Sequence, residues 1–256
     1  MPELHIEAIP AFSDNYIWLL VREGRAAVVD PGDAAPVQRA LDQRGLRLDG
    51  ILVTHHHGDH VGGVAVLAAD SGAPVYGPAA EDIPARTHAV AGDAEFDLLG
   101  ERCTVLEVPG HTRGHVAYLL PQPAALFCGD TLFGAGCGRL FEGTAAQMAE
   151  SLARLAALPA ATRVYCAHEY TVANLRFAAD VEPGNAQIDA RRADCEARRR
   201  RGEPTLPSTL ADELATNPFL RCAEPAVRAA AERLHPGAGR SVVETFAALR
   251  DWKNRY

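Results

Sequence analysis

The run VTHHHGDHVGG, Val53–Gly63, places His55, His56, His57, Asp59 and His60 within six positions. Imidazole nitrogens and carboxylate oxygens at that density are metal donors rather than core fillers. On an extended chain, residues two apart point to the same side. His55 and His57 are therefore expected to project together and His56 to turn away. Gly58 lets the chain turn, and Asp59 and His60 then fall near the start of the next helix, where negative charge is favoured. Gly62 and Gly63 permit close packing beneath the loop.

Two imidazoles on one side and an Asp-His pair on the other exceed what one tetrahedral ion needs, since a catalytic zinc takes three protein ligands and a water. The surplus points to two ions, which require further histidines and a shared carboxylate. His111 follows the apolar run VLEVPG, Asp130 lies in CGDTLF, and His168 follows VYC. Each stands just past a predicted strand, the place where sites form in layered α/β folds. His5, His88 and His235 lack such company and read as ordinary polar loop residues.

The elements that must position these donors can be read along the chain. LHIEAIP alternates as a strand. YIWLLVREGRAAVVDPG reads as a hairpin turning near Glu23-Gly24. APVQRALDQRG has helical spacing and stops at Gly45. GILVT, a short continuous apolar run, is expected as a strand buried on both faces. GGVAVLAADSG follows as a helix and APVYGP as a strand. RCTVLEVPG, HVAYLLP, AALFCGDTLF and TRVYCAHEY read as further strands. TAAQMAESLARLAALP is a helix that Thr144 can cap. After Tyr170 the apolar runs give way to helical spacing in VANLRFAADV, AQIDARRADCEARRRRG, PAVRAAAERL and SVVETFAALRDWKNRY. A boundary is therefore expected near residue 171. The run Arg198–Arg201 reads as the last turn of a helix, where the dipole favours cations, closed by Gly202.

The 256 residues fit one large domain or a domain with an appendage. With 48% hydrophobic and 23% charged residues, the composition is that of a globular chain and not of a disordered one. A net charge of −8 argues against nucleic acid as a partner, and an anionic substrate would need a local basic patch. The N-terminal residues show no signal-peptide pattern, and no stretch approaches 18 uninterrupted apolar residues, so neither secretion nor a membrane span is expected. The six cysteines form no CxxC pair, which suits a reducing compartment and a cytoplasmic location.

HxHxDH at 55–60 with His111, Asp130 and His168 in that order resembles the metallo-β-lactamase superfamily. SDNYIWLL, VVDPGD, THHHGDHVGG, PGHTRGH, GDTLFGAGCGRLFEGTA, CAHEYT, LPSTLADELATNPFLR and the terminal LRDWKNRY resemble, more narrowly, the hydroxyacylglutathione hydrolase (glyoxalase II) family, over nearly the whole length. The metal motif marks only the superfamily; GCGRLFEGT, HEYT and the helical tail mark the narrower family.

The resemblance implies an α/β fold: a metallo-β-lactamase-like αββα sandwich over residues 1–170 with a C-terminal helical domain over 171–256. It implies two divalent metal ions per chain, one on His55, His57 and His111, the other on Asp59, His60 and His168, with Asp130 bridging. The donors are all nitrogen or oxygen, which suits zinc, and also iron or manganese. A bridging hydroxide held at the metals beside Asp59 and Asp130 would be the nucleophile. Arg139, Phe141, Tyr170, Arg250 and Lys253 would hold the glutathione part of a small-molecule thioester. Phe141 stands where many relatives carry tyrosine, so one hydrogen-bond donor to the tripeptide is missing.

The implied reaction is hydrolysis of S-(2-hydroxyacyl)glutathione, chiefly S-D-lactoylglutathione, to a 2-hydroxy acid and glutathione, the second step of methylglyoxal detoxification, by a monomer. The leaving thiol has a free pKa near ~8.5, so no general acid is required. Without the resemblance, Arg250 and Lys253, three apart, read as a solvated basic helix end. Asp30 in VVDPG has two readings: a group orienting a ligand histidine, or a turn-initiating aspartate before Pro-Gly. Three other functions compete. A persulfide dioxygenase of the same superfamily would use one iron. A phosphodiesterase would want a basic groove. A non-catalytic metal-binding module would not need donors spread so widely along the chain.

Overall fold

The computed structural model describes residues 3–256. The chain forms two compact units. One comprises the residues up to Glu107 together with Arg113–Gly129; the other comprises Val108–Thr112 and Asp130–Tyr256. Compactness and sequence texture thus divide the chain at different places, since residues 130–170 group with the helical segment that follows them.

In the first unit, β1 (His5–Ala11), β2 (Asn15–Arg22) and β3 (Arg25–Val29) form an antiparallel meander. Glu23 and Gly24, both at positive φ, make the expected turn between β2 and β3. Helix α1 (Ala34–Arg44), capped by Asp33 and ended by Gly45 in the left-handed conformation, returns the chain to β4 (Arg47–Leu52), parallel to β3. The short helices α2 (Gly58–Val61) and α3 (Val64–Ser71) lead to β5 (Val75–Pro78), which is followed by β6 (His88–Val90). The sheet order is β1-β2-β3-β4-β5-β6. Alternate residues Ile17, Leu19, Val28, Ile51 and Val75 pack against Val37 of α1 and Val64 and Leu67 of α3 in one core. A second set, β7 (Glu95–Leu98), β8 (Glu101–Glu107), β9 (Val116–Leu120) and β10 (Ala125–Gly129), forms an antiparallel meander. Tyr118 on β9 is fully buried and donates to the Val53 carbonyl at 2.8 Å, which ties this meander to the end of β4.

In the second unit, the hairpin β11 (Leu132–Phe133) and β12 (Gly136–Cys137) precedes α4 (Ala145–Ala156). Thr144 and Gln147 form a capping box at the start of α4. Strand β13 (Arg163–Cys166), helices α5 (Thr171–Val181) and α6 (Ala186–Arg200), strand β14 (Ser208–Thr209) and helices α7 (Leu210–Thr216), α8 (Pro225–Leu234) and α9 (Val242–Arg255) follow. The fully buried Glu213 joins this unit together: it accepts from the Ala135 amide at 2.7 Å, from Ser208 Oγ at 2.7 Å and from Asn217 Nδ2 at 3.1 Å, and it pairs with Arg191.

Several expectations need correction. AALFCGDTLF is two elements, because Gly129 adopts a φ of 47° and breaks the strand just before Asp130. β6, β7, α7 and the two-residue strands carry no clear sequence periodicity and were not foreseen. His5 opens the strand expected from LHIEAIP, and His88 lies within a strand rather than in a loop. All six cysteines are buried, and none forms a disulfide among the described residues.

Candidate active site

In the first unit, β4 ends at Leu52, Thr54 and His55 lie in a bend, and His57 is extended where it caps the next helix. His55 and His57 still converge, with His55 Nε2 3.1 Å from His57 Nδ1. His56 turns away, as expected, and is held there by a side chain. Its amide and its Nδ1 both reach Glu81 Oε2, at 2.7 and 2.9 Å. Asp59 sits in the first turn of α2, and its Oδ2 accepts from Asn15 at 3.0 Å. His60 is fully buried, with Nε2 3.5 Å from Asp59 Oδ2 and Nδ1 3.1 Å from Asp30 Oδ2.

Asp30 proves to be more than a turn initiator. Its Oδ1 accepts from the Thr54 amide at 2.7 Å and its Oδ2 from the Thr54 hydroxyl at 2.8 Å, and that hydroxyl lies 3.1 Å from His55 Nδ1. One buried carboxylate therefore braces Thr54 beside His55 and faces His60 directly. The glycines beneath the loop are obligatory. A Cβ on Gly32 would stand 1.8 Å from the Asp59 carbonyl oxygen, and one on Gly63 would stand 2.5 Å from the Ala34 amide.

In the second unit, Asp130 presents one oxygen to each of two histidines. Its Oδ2 lies 3.4 Å from His111 Nε2, and its Oδ1 lies 3.4 Å from His168 Nε2. The Arg139 carbonyl fixes the tautomer of His111. A carbonyl only accepts, and it lies 2.9 Å from His111 Nδ1, so Nδ1 carries the proton. Nε2 is then a lone pair facing a carboxylate oxygen, which a cation reconciles. Gly138 makes the approach possible, because a Cβ there would meet His111 Nδ1 at 3.0 Å and the Asp130 carbonyl oxygen at 2.0 Å. His168 stacks on Tyr170, with centroids 4.8 Å apart and planes 5° from parallel. All seven expected donors belong to groups of His and Asp side chains able to hold a metal ion. Their nitrogen and oxygen chemistry fits borderline divalent cations.

A cavity of about 460 Å³ in the same unit is lined by His111, Asp130, Arg139, Phe141, Tyr170, Arg250 and Lys253. The five residues expected to hold glutathione thus share one cavity with two of the expected metal ligands. Arg250 is not a solvated helix end. It is 5% exposed, donates to the Cys137 carbonyl at 2.7 Å and lies over the Phe219 ring at 5.1 Å. Lys253, one turn on, is half-buried between the Phe177 and Tyr256 rings. Burial, and then repulsion from Arg250 and Arg139, lower its pKa to about 8. Three cations crowded into one cavity favour an anionic guest. Phe141 is 63% exposed and sets its ring edge-on to His111 at 5.2 Å.

Two contributors escaped sequence reasoning. His115, in the same GHTRGH run as His111, is buried and stacks on His55 at 4.6 Å. Its only signal was its place in that run. The Arg139 carbonyl acts through its backbone, which leaves no trace in side-chain identity.

Residues 11–168 match the model of the metallo-beta-lactamase superfamily, and residues 169–256 match that of the hydroxyacylglutathione hydrolase C-terminus. The chain is 58% identical over 254 residues to a hydroxyacylglutathione hydrolase of Alkalilimnicola ehrlichii, covering 98% of each chain. It is 55% identical over 257 residues to one of Pseudomonas aeruginosa, covering 99% of this chain and 100% of that one. Among solved structures, ETHE1 from Myxococcus xanthus superposes with a TM-score of 0.69 at 24% identity, covering 98% of this chain and 91% of that one, a likeness of fold. The protein TTHA1623, solved in a di-iron-bound form, matches with a TM-score of 0.53 at 32% identity, covering 64% of this chain and 91% of that one.

Proposed function

The chain belongs to the hydroxyacylglutathione hydrolase family of the metallo-beta-lactamase superfamily, and we propose that His55, His57, Asp59, His60, His111, Asp130 and His168 hold two divalent ions for its reaction. The protein is a metal-dependent thioester hydrolase that converts S-(2-hydroxyacyl)glutathione to a 2-hydroxy acid and glutathione. The observation that carries the two-ion reading is the Asp130 carboxylate, with one oxygen turned to His111 and the other to His168. The di-iron-bound form of TTHA1623 supports the same count. Zinc is the proposed metal, and iron or manganese would suit the same donors.

When bound, the ions supply a water acidified towards neutral pH and positive charge for the thioester carbonyl oxygen. The chain's own residues then bind and orient. Arg139, Arg250 and Lys253 hold the two glutathione carboxylates by charge. Tyr170 keeps His168 in plane and leaves its hydroxyl for the tripeptide. Phe141 offers an apolar edge and no donor. Asp30 fixes Thr54 beside His55, and the Arg139 carbonyl holds the proton on His111 Nδ1, which leaves Nε2 as the donor atom. Glutathione departs as a thiolate, so no side chain is assigned as an acid.

The two family models meet at residues 168 and 169, which supports a catalytic domain over 1–170 and a helical, glutathione-binding domain over 171–256. Action as a monomer is part of the same proposal. No helix among the described residues is long and apolar enough to cross a membrane. The absence of disulfides among those residues supports a cytoplasmic setting.

Purified protein given S-D-lactoylglutathione should release free thiol and D-lactate in equal amounts without consuming oxygen. Oxygen uptake with glutathione persulfide and no thioester cleavage would instead establish the dioxygenase, a reading disfavoured by the C-terminal family match.

A further inference from the structure

The three-residue turn between β1 and β2 carries a feature that neither the metal donors nor the glutathione cavity uses. Ala11 pairs with Asn15 to close the hairpin, which leaves Phe12, Ser13 and Asp14 as its tip. Phe12 has a φ of 50°, a left-handed conformation that bulky side chains avoid. Its ring is 62% exposed, whereas the large aromatic side chains Tyr118, Phe127 and Phe177 are fully buried. A strained backbone that holds an apolar ring out towards solvent is the reverse of what core packing would select, and such outliers gather at functional sites.

The turn that carries the ring is tied to the metal loop. Asn15, buried at the base of the same turn, donates to Asp59 Oδ2 at 3.0 Å. Gly32 is wedged between the two segments. A Cβ on it would lie 2.9 Å from Phe12 Cε2 and 1.8 Å from the Asp59 carbonyl oxygen. The ring edge and the Asp59 backbone thus both lie close against Gly32.

We propose that Phe12 is a specificity-determining residue that packs against the apolar substituent on C2 of the 2-hydroxyacyl group. This rests on the thioesterase reading, which brings the acyl end of the substrate to the donor set that includes Asp59. An exposed ring edge grips a methyl or phenyl substituent and gives nothing to a hydrogen.

Two variants test this. Phe12→Asn removes the ring while keeping a residue that tolerates positive φ, and Phe12→Leu keeps apolar bulk. Each is compared with the parent on S-glycolyl-, S-D-lactoyl- and S-D-mandeloylglutathione. In Phe12→Asn the kcat/KM for the mandeloyl thioester relative to the glycolyl thioester should fall on the order of tenfold. Phe12→Leu should keep most of the parent's ratio. A second readout needs no turnover. In calorimetry, the parent's preference for S-benzylglutathione over S-methylglutathione should shrink in Phe12→Asn, while affinity for glutathione itself holds. Acyl and thioether preferences within twofold of the parent's in Phe12→Asn overturn the assignment. A parent inert toward all three thioesters would overturn the thioesterase reading, and thioether binding would then decide the role of Phe12 by itself.

Discussion

Raising the pH from 7 to 9 should weaken capture of the glutathione moiety through one residue, Lys253. Burial and the neighbouring Arg250 and Arg139 bring its pKa down to about 8. Its ammonium sits 5.1 Å from the Phe177 centroid, 5.0 Å from that of Tyr256 and 3.4 Å from the Ala173 carbonyl oxygen. With that pKa, the charged fraction drops from about nine-tenths at pH 7 to about one-tenth at pH 9. Apparent affinity scales with the competent fraction, so KM should rise up to about tenfold. As a proposed glutathione contact, Lys253 would touch a part of the substrate that does not react, so kcat should be spared. Unfolding does not account for the loss. The folded pKa of Lys253 lies below its unfolded value, so between pH 8 and 10.5 the unfolded chain holds the extra proton. The cost of burying Lys253 therefore relaxes as pH rises through that window. The assay is steady-state hydrolysis of S-D-lactoylglutathione at pH 7, 8 and 9 by the parent and by Lys253→Met. The ammonium of glutathione titrates in the same range but acts on both proteins alike. Lys253→Met should begin with a raised KM and climb less. A parent KM that stays flat to pH 9, or an identical climb in the variant, refutes the reasoning.

Three further outcomes are expected. His57→Ala should lose metal and turnover, whereas His56→Ala should keep its metal and give up only the contacts with Glu81, about 0.5–1.5 kcal/mol of stability per hydrogen bond; equal metal loss in both would mean that His56 also serves as a ligand. Asp30→Ala strands the buried Thr54 amide and hydroxyl and should lower metal affinity about 10–100-fold in a chelator competition; unchanged affinity would reduce Asp30 to a turn former. Arg250→Ala should raise KM and also lower the unfolding free energy by about 1–3 kcal/mol, because it removes a buried cation bonded to the Cys137 carbonyl; a higher KM with unaltered stability would assign Arg250 to binding alone.

The donor set was legible in the sequence because its members are side chains with few other reasons to cluster. The orientation of His56 was foreseen from the extended chain, but its partner Glu81, 25 residues away, was not. The helices α1, α4, α6 and α9 were legible because caps and periodicity agree. β6 and β7 were not, since three or four residues with mostly outward side chains leave no pattern. Arg250 read as solvated because charge three residues before Lys253 suggests a helix end. The structure buries it beside Leu249 and Phe246, with its charge facing a backbone carbonyl. The contacts that brace the site, through the Arg139 carbonyl and the missing Cβ atoms of Gly32 and Gly138, are backbone features that no spacing of side chains reveals.

The two-ion thioesterase is tested most directly by adding metal back to the metal-free protein while following hydrolysis of S-D-lactoylglutathione. Activity should climb until two equivalents per chain are bound and then level off. Full activity at a single equivalent would contradict the assignment of Asp130 as a carboxylate shared between two ions.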